Sequence, residues 1–129
     1  MNILDENILT DQRQLLIKWS ISFRQIGYEV GWKGMKDDRI IPFLLTFPKP
    51  TLFTSDADFY KRGLCHSRYG IVHLDVDEAE TADFIRRVLR DRRFDTHAKR
   101  MGVVIRASHS GTTVWSRHAE REAHYKWKD

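Results

Sequence analysis

Aspartates recur directly after short apolar runs in this chain of 129 residues. Asp5 and Glu6 follow Asn2–Leu4, Asp56 and Asp58 follow Thr51–Ser55, and Asp75 follows Tyr69–Leu74. If those runs are neighbouring parallel strands, their carboxyl ends share one edge, and ligands bind in the crevice beyond it. Asp37, at the start of an expected helix, can enter the same space. Carboxylates a few ångströms apart raise one another's pKa unless a cation compensates. Mg²⁺ or Mn²⁺ is the natural one, hard and oxygen-seeking, commonly held by carboxylates together with water and a phosphate. Such an ion polarises a phosphodiester, helps to form hydroxide and stabilises the leaving oxygen, and one or two ions would serve. Each acid also has an ordinary structural use: Asp5 closing a turn, Asp37 capping a helix, Asp58 capping a helix at Phe59. Their conjunction is what points to a metal.

Other reactive types are present without a supporting pattern. The histidines at 66, 73, 97, 109, 118 and 124 include no H-E-x-x-H pair. His73 falls in an expected buried strand and reads as a hydrogen-bonded core residue. His109 and Ser110 share a turn, yet no third member of a nucleophile–base set accompanies them; a hydrolase of that kind would need His109 or His118. No glycine-rich phosphate cradle exists around Gly31 and Gly34. Cys65, the single cysteine, has no evident activator and excludes an intrachain disulfide or a cysteine-based zinc site. Trp32, Trp115 and Trp127 are candidates for stacking on bases, whereas Trp19 reads as core.

Strands and helices must alternate to bring those acids together. A first strand is expected at Asn2–Leu4. Leu15, Leu16, Trp19, Phe23 and Ile26 recur at helical spacing, predicting a helix from Asp11 to Ile26 with Gly27 as its C-terminal glycine. Tyr28–Trp32 is the candidate second strand. Asp37 or Asp38 caps a helix of one to three turns, in which Pro42 is tolerated only near the start. Thr51–Ser55 and Tyr69–Leu74 are further strands. Asp77 and Glu78 open a helix with Phe84, Ile85, Val88 and Leu89 as its apolar stripe. Val103–Ala107 and Thr112–Ser116 flank His109-Ser110-Gly111 as a hairpin. The tail from Arg117 to Asp129 reads as a short polar helix. The class is α/β, with a mostly parallel sheet, helices on both faces and an antiparallel C-terminal hairpin.

Composition bounds the rest. One domain covering 1–129 is expected from the length, and 41% hydrophobic residues are enough for a core rather than a disordered chain. The longest purely apolar run is Ile40–Leu45, far short of the ~20 residues of a membrane span, so a cytoplasmic protein without membrane contact is expected. Net charge is +4, but the stretch Arg86–Arg106 alone carries +6, leaving −2 elsewhere. Clustered cations are what a phosphate backbone attracts; a solvated helix face and loop is the plainer alternative.

At LDEN, KDDRII and TSDADF the chain resembles the PIN-like nucleases, in particular the small PIN-like group related to toxin–antitoxin toxins. The likeness covers about residues 1–75 by motif and the remainder by element order. It implies a PIN-like three-layer α/β/α fold, with 1–75 as the acidic half and 76–129 supplying the basic helix, hairpin and tail. It implies that Asp5, Asp37, Asp56 and Asp58 are catalytic metal ligands for Mg²⁺ or Mn²⁺, with Asp38 as a register alternative to Asp37. Thr54 and Ser55 match the small hydroxyl positions beside the central acid, and Asn7 is placed to orient Asp5 or a water. It further implies an endoribonuclease acting on RNA, with a cognate antitoxin as partner and a homodimer as a possible assembly. Arg86, Arg87, Arg90, Arg93, Lys99 and Arg100 would then contact RNA. A PIN-like module that binds RNA or protein without cleaving is the alternative. The chain departs from the family pattern at Pro42, which is expected to interrupt the helix presenting Asp37. It departs also at Asp75, which matches no obligatory ligand, and in the hairpin, which maps to no catalytic motif.

Overall fold

A computed structural model describes residues 1–128. In chain order the main elements are β1 (Asn2–Leu4), α1 (Thr10–Lys18), β2 (Arg24–Gln25), α2 (Asp37–Leu44), β3 (Thr51–Thr54), β4 (Gly70–Leu74), α3 (Thr81–Arg90), α4 (His97–Arg100), β5 (Val103–Ser108), β6 (Gly111–Ser116) and β7 (Ala123–Tyr125). Single 3-10 turns lie at Ala57–Phe59, Arg62–Leu64 and Glu78–Glu80. The strands form one seven-stranded sheet in the order β2-β1-β3-β4-β5-β6-β7. Pairing is parallel from β2 to β5 and antiparallel at β6 and β7.

Alternation along the strands divides the core in two, because successive side chains point to opposite faces. Leu4, Phe53, Val72, Ile105 and Ala107 pack with Leu16 of α1 and with Phe84, Ile85 and Val88 of α3. Ile3, Leu52, Ile71 and Val104 pack on the other face with Ile40 and Leu44 of α2 and with Phe59. The fold is thus α/β, with a mostly parallel sheet between helices. The central strands are buried on both faces, which is why YGIVHL reads as a nearly unbroken apolar run.

Four sequence expectations are corrected. The first helix ends at Lys18 rather than Ile26: Ser20 takes a left-handed φ of 58°, and the chain then turns into β2. Phe23 and Ile26 matched the helical period but belong to extended chain packed on the sheet. The second strand is therefore Arg24–Gln25; Tyr28–Trp32 contributes only the bridge of Val30 to Ile26. Pro42 does not interrupt α2, which runs through it. Pro42 and Asp38 are both exposed, so water can satisfy the Asp38 carbonyl that loses its helical donor. The tail forms β7 instead of a helix; it closes on the bare backbone of Gly111, where an added Cβ would lie 2.0 Å from the Tyr125 oxygen. Asp129, the last residue of that expected tail helix, lies outside the described residues. Among the described residues no helix is long and apolar enough to cross a membrane.

Candidate functional site

The carboxyl edge of the parallel strands collects the acids. Asp5 leaves β1, Asp56 leaves β3, and their strands are direct neighbours. Thr54, fully buried at the end of β3, links them: its hydroxyl donates to Asp5 Oδ2 at 2.7 Å and accepts from the Asp56 backbone amide at 3.1 Å. Asp56 Oδ1 in turn accepts from the Asp58 amide at 2.9 Å and caps the turn Ala57–Phe59. The cap is thus Asp56, not Asp58, which leaves the Asp58 carboxylate free to project from the turn.

Asp37 comes from across the edge. It is the first residue of α2, carried on the α2 face of the sheet by Ile40 and Leu44. The loop before it is anchored by Glu6, whose two carboxylate oxygens accept from the Gly34 amide at 3.0 and 3.1 Å. Asp37, Asp56 and Asp58 each offer an oxygen, all within 4.8 Å of one another. Of the two register choices, Asp37 joins this group, while Asp38 only lines the adjoining cleft of ≈ 360 Å³ with Ile41, Phe59 and Lys61. Asp5 stands beside the group. Desolvation pushes the Asp37 carboxyl above its ordinary pKa, and the charges of Asp56, Asp58, Asp5 and Asp38 push it further in the same direction.

These donors fit a hard divalent cation. Opposite oxygens around an octahedral ion with bonds of ~2.1 Å stand ~4.2 Å apart, and around a larger ion with bonds of ~2.4 Å they stand ~4.8 Å apart. Three oxygens cannot all be opposite one another, and adjacent ones on such ions stand ~3.0–3.4 Å apart, so the trio, here within 4.8 Å, would draw together around a cation, which removes their mutual repulsion.

Asp5 itself is held from below. Gln25 of β2 is completely buried, and its Nε2 donates to the carbonyls of Asp5, Glu6 and Ile8 at 3.1, 3.4 and 3.0 Å. Its Oε1 accepts from Arg13, which also pairs with Glu29. Asn7 contributes through its backbone amide, which donates to Asp5 Oδ1 at 3.2 Å, rather than through its side chain. Neither Gln25 nor Glu6 announces this role in sequence, since residue 25 falls within the helix expected from Asp11 to Ile26, where a glutamine reads as surface.

The expected RNA contacts divide. Arg86, Arg87, Arg90 and Arg93 line an open cleft of ≈ 680 Å³ with Arg92, Trp127 and Lys128. Within it Asp83 pairs with Arg86 and Arg87, and Asp91 with Arg93. Arg100 is a correction: only 2% exposed, it donates to Thr51 Oγ1 at 3.0 Å and to the Phe94 carbonyl at 2.6 Å, clamping the start of β3. Lys99 is turned to Asp95 and the Arg92 carbonyl, closing its own loop. The cleft opens on the α3 side, whereas the acids meet where α2 covers the sheet. Cations sharing the α2 side with the acids are Lys61, beside Asp37 and Asp58, and Arg62 over the Trp115 ring. Arg106 belongs there as well, 5.8 Å from the Tyr60 ring centre.

Asp75 remains exposed, with its carboxylate 3.9 Å from Arg106. His73 is buried as expected, yet among the described residues its Nδ1 has no hydrogen-bond partner. Burial lowers the His73 pKa, and Arg106 adds to that against the opposing pull of Asp75 and Asp56. His109 faces Glu80 and Ser110 faces Ser108, so the two make no nucleophile–base pair. Burial raises the Cys65 thiol pKa, in keeping with an unreactive cysteine. Comparison with protein-family models, with curated proteins and with solved structures finds no match for this chain.

Proposed function

We propose that this chain is a metal-dependent endoribonuclease with a PIN-like site, acting as the toxin of a toxin–antitoxin pair. The observation that carries the reading is the trio Asp37, Asp56 and Asp58 within 4.8 Å, with Asp5 tied to the same edge through Thr54. Mg²⁺ or Mn²⁺, when bound, supplies polarisation of a phosphodiester and a hydroxide nucleophile near neutral pH. Asp37, Asp56 and Asp58 hold the ion, each from a different backbone position, so the pocket is set by the meeting of α2 with the end of β3. Asp5, with Thr54 and the Asn7 amide fixing its oxygens, orients a water or serves as a further ligand. Lys61 and Arg62 draw the RNA backbone toward the acids on the α2 side. The motif order LDEN, KDDRII, TSDADF supports the family and, through it, RNA as substrate and an antitoxin as partner.

The test is cleavage of a labelled RNA with Mn²⁺ by parent, Asp5→Asn and Asp56→Asn proteins. Cleavage by the parent and its loss in both variants is expected; equal cleavage by all three removes the catalytic assignment.

A second reading, a PIN-like module that binds RNA without cutting it, draws on the position of the cationic cleft away from the acids. Metal titration separates the two, because a ligand of the native state raises the melting temperature by mass action. No shift at millimolar Mn²⁺ favours the binder.

A further inference from the structure

Of the three tryptophans able to stack on a base, two are committed within the fold. Trp115 packs into the core on the α2 side, with the Arg62 guanidinium 5.7 Å from its ring centre. Trp127 packs on the α3 side against Phe84, and its Nε1 donates to the Ser108 carbonyl at 2.7 Å. Trp32 differs. At 56% it is the most exposed large apolar side chain among the described residues. The nearby Tyr28 ring has Arg13 and Lys33 over it at 5.0 and 5.5 Å, whereas among the described residues Trp32 has no such partner.

Strand order puts this residue beside the acids. β2 lies on one side of β1 and β3 on the other, with α1 and α2 on opposite faces. The sheet therefore has its topological switch between β1 and β3, where a ligand crevice opens beyond the carboxyl ends. Asp5 and Asp56 leave the two strands that flank it. The segment 26–36 leaves the carboxyl end of β2 and enters α2, forming one wall of that crevice; the turns with Asp58, Lys61 and Arg62 form the other. The first wall is pinned. Val30 and Met35 pack in the core with α2, and both carboxylate oxygens of Glu6 accept from the Gly34 amide. Lys33 Cα and Glu6 Cβ lie 3.5 and 3.6 Å from the place that a Cβ on Gly27 would take, so their backbones run side by side. Trp32 thus stands one residue from a contact with the neighbour of Asp5, and five residues ahead of Asp37.

We propose that Trp32 is the platform on which an unpaired base of the RNA stacks, beside the phosphodiester at the acids and across the crevice from Lys61 and Arg62. This rests on the nuclease reading for the identity of the strand, though the stacking contact is read without cleavage. A ring on a pinned loop loses little freedom on binding, and stacking accepts any base because every base has a π-face. Bases inside a duplex have both faces covered by their neighbours, so the platform restricts the substrate to single-stranded RNA.

The experiment follows the indole N–H resonances by NMR while the full chain is titrated with a short single-stranded oligouridylate. Ca²⁺ replaces Mn²⁺, which neutralises the acids without paramagnetic broadening, and the Trp32 signal is the one missing from Trp32→Phe. The Trp32 signal shifts on binding and the Trp127 signal stays. Trp32→Ala weakens binding about tenfold at an unchanged melting temperature, and Trp32→Phe stays close to the parent. An abasic strand of the same length binds parent and Trp32→Ala equally, which a merely structural role would not produce. A Trp32 signal unmoved at the end of the titration, or parent-like affinity in Trp32→Ala, overturns the platform. Movement of the Trp127 signal alone puts the strand in the α3 cleft and overturns it as well. Equal affinity for single strand and duplex overturns the single-strand restriction. A Trp32 shift without Mn²⁺-dependent cleavage retains the platform and refutes the nuclease reading, whereas Mn²⁺-dependent cleavage with an unmoved Trp32 does the reverse.

Discussion

Thr54 Oγ1 sits between two acids on neighbouring strands, donating to Asp5 and accepting from the amide of Asp56. One buried hydroxyl therefore sets the relative position of the first and central carboxylates. Thr54→Val keeps the shape but leaves the Asp5 oxygen and the Asp56 amide without it. Loss of such a supporting bond at a metal site reduces affinity or activity by about 10–100-fold. Thr54→Ser should retain most of the parent's Mn²⁺ affinity, measured by calorimetry, and Thr54→Val should not. Equal affinities for the two variants would show that the hydroxyl does not organise the site.

The brace under Asp5 gives a stability prediction. Gln25→Leu removes the amide that three carbonyls of the β1–α1 loop share. Buried acceptors left unpaired cost about 1–3 kcal/mol, so the urea midpoint should fall with an unchanged slope. Metal affinity should fall too, because Asp5 loses its anchor. A variant with the parent's midpoint would mean that water replaces the amide.

The acids were legible in the sequence because parallel strands deliver their carboxyl ends to one edge, so Asp5 and Asp56 followed from strand order alone. Asp37 was legible as the start of a helix, although the path of that helix was not. Pro42 looked like an obstacle because exposure of the Asp38 carbonyl is a tertiary property. Phe23 and Ile26 mimicked a helical period because residues packed against a sheet can share that spacing by chance. Arg100 read as one more surface cation in a basic stretch; its burial against Thr51 and the Phe94 carbonyl is a tertiary property that no local pattern carries.

The split of the basic residues predicts two distinct phenotypes. Arg90 and Arg92 are exposed, and their replacement by alanine should lower the salt slope of RNA binding by about 0.7 each if the cleft contacts a single strand. Their melting temperatures should match the parent. Arg100→Ala should behave in the opposite way, since it strands Thr51, Asn2 and the Phe94 carbonyl inside the fold. A stable Arg100→Ala protein with weakened RNA binding would contradict its structural role.

The pH dependence of the acidic edge follows from Asp37. Its carboxyl pKa is raised in the folded state, first by desolvation and then by the neighbouring acids. A raised carboxyl pKa means that the native state binds more protons than the unfolded chain between the two pKa values, so stability falls as pH rises through that window. The penalty is complete above the folded value and is relieved below the ordinary carboxylate value. Without metal, Asp37→Asn should therefore melt higher than the parent at pH 7, by about 2 °C for an exposed charge, and the advantage should vanish as the pH is lowered below 4. With Mn²⁺ in excess the order should reverse, because the parent gains the free energy of binding and the variant has lost a ligand. Melting curves at both pH values, with EDTA and with Mn²⁺, read all four states. An Asp37→Asn protein that keeps its advantage in saturating Mn²⁺ would exclude Asp37 from the metal site while leaving its electrostatic strain in place.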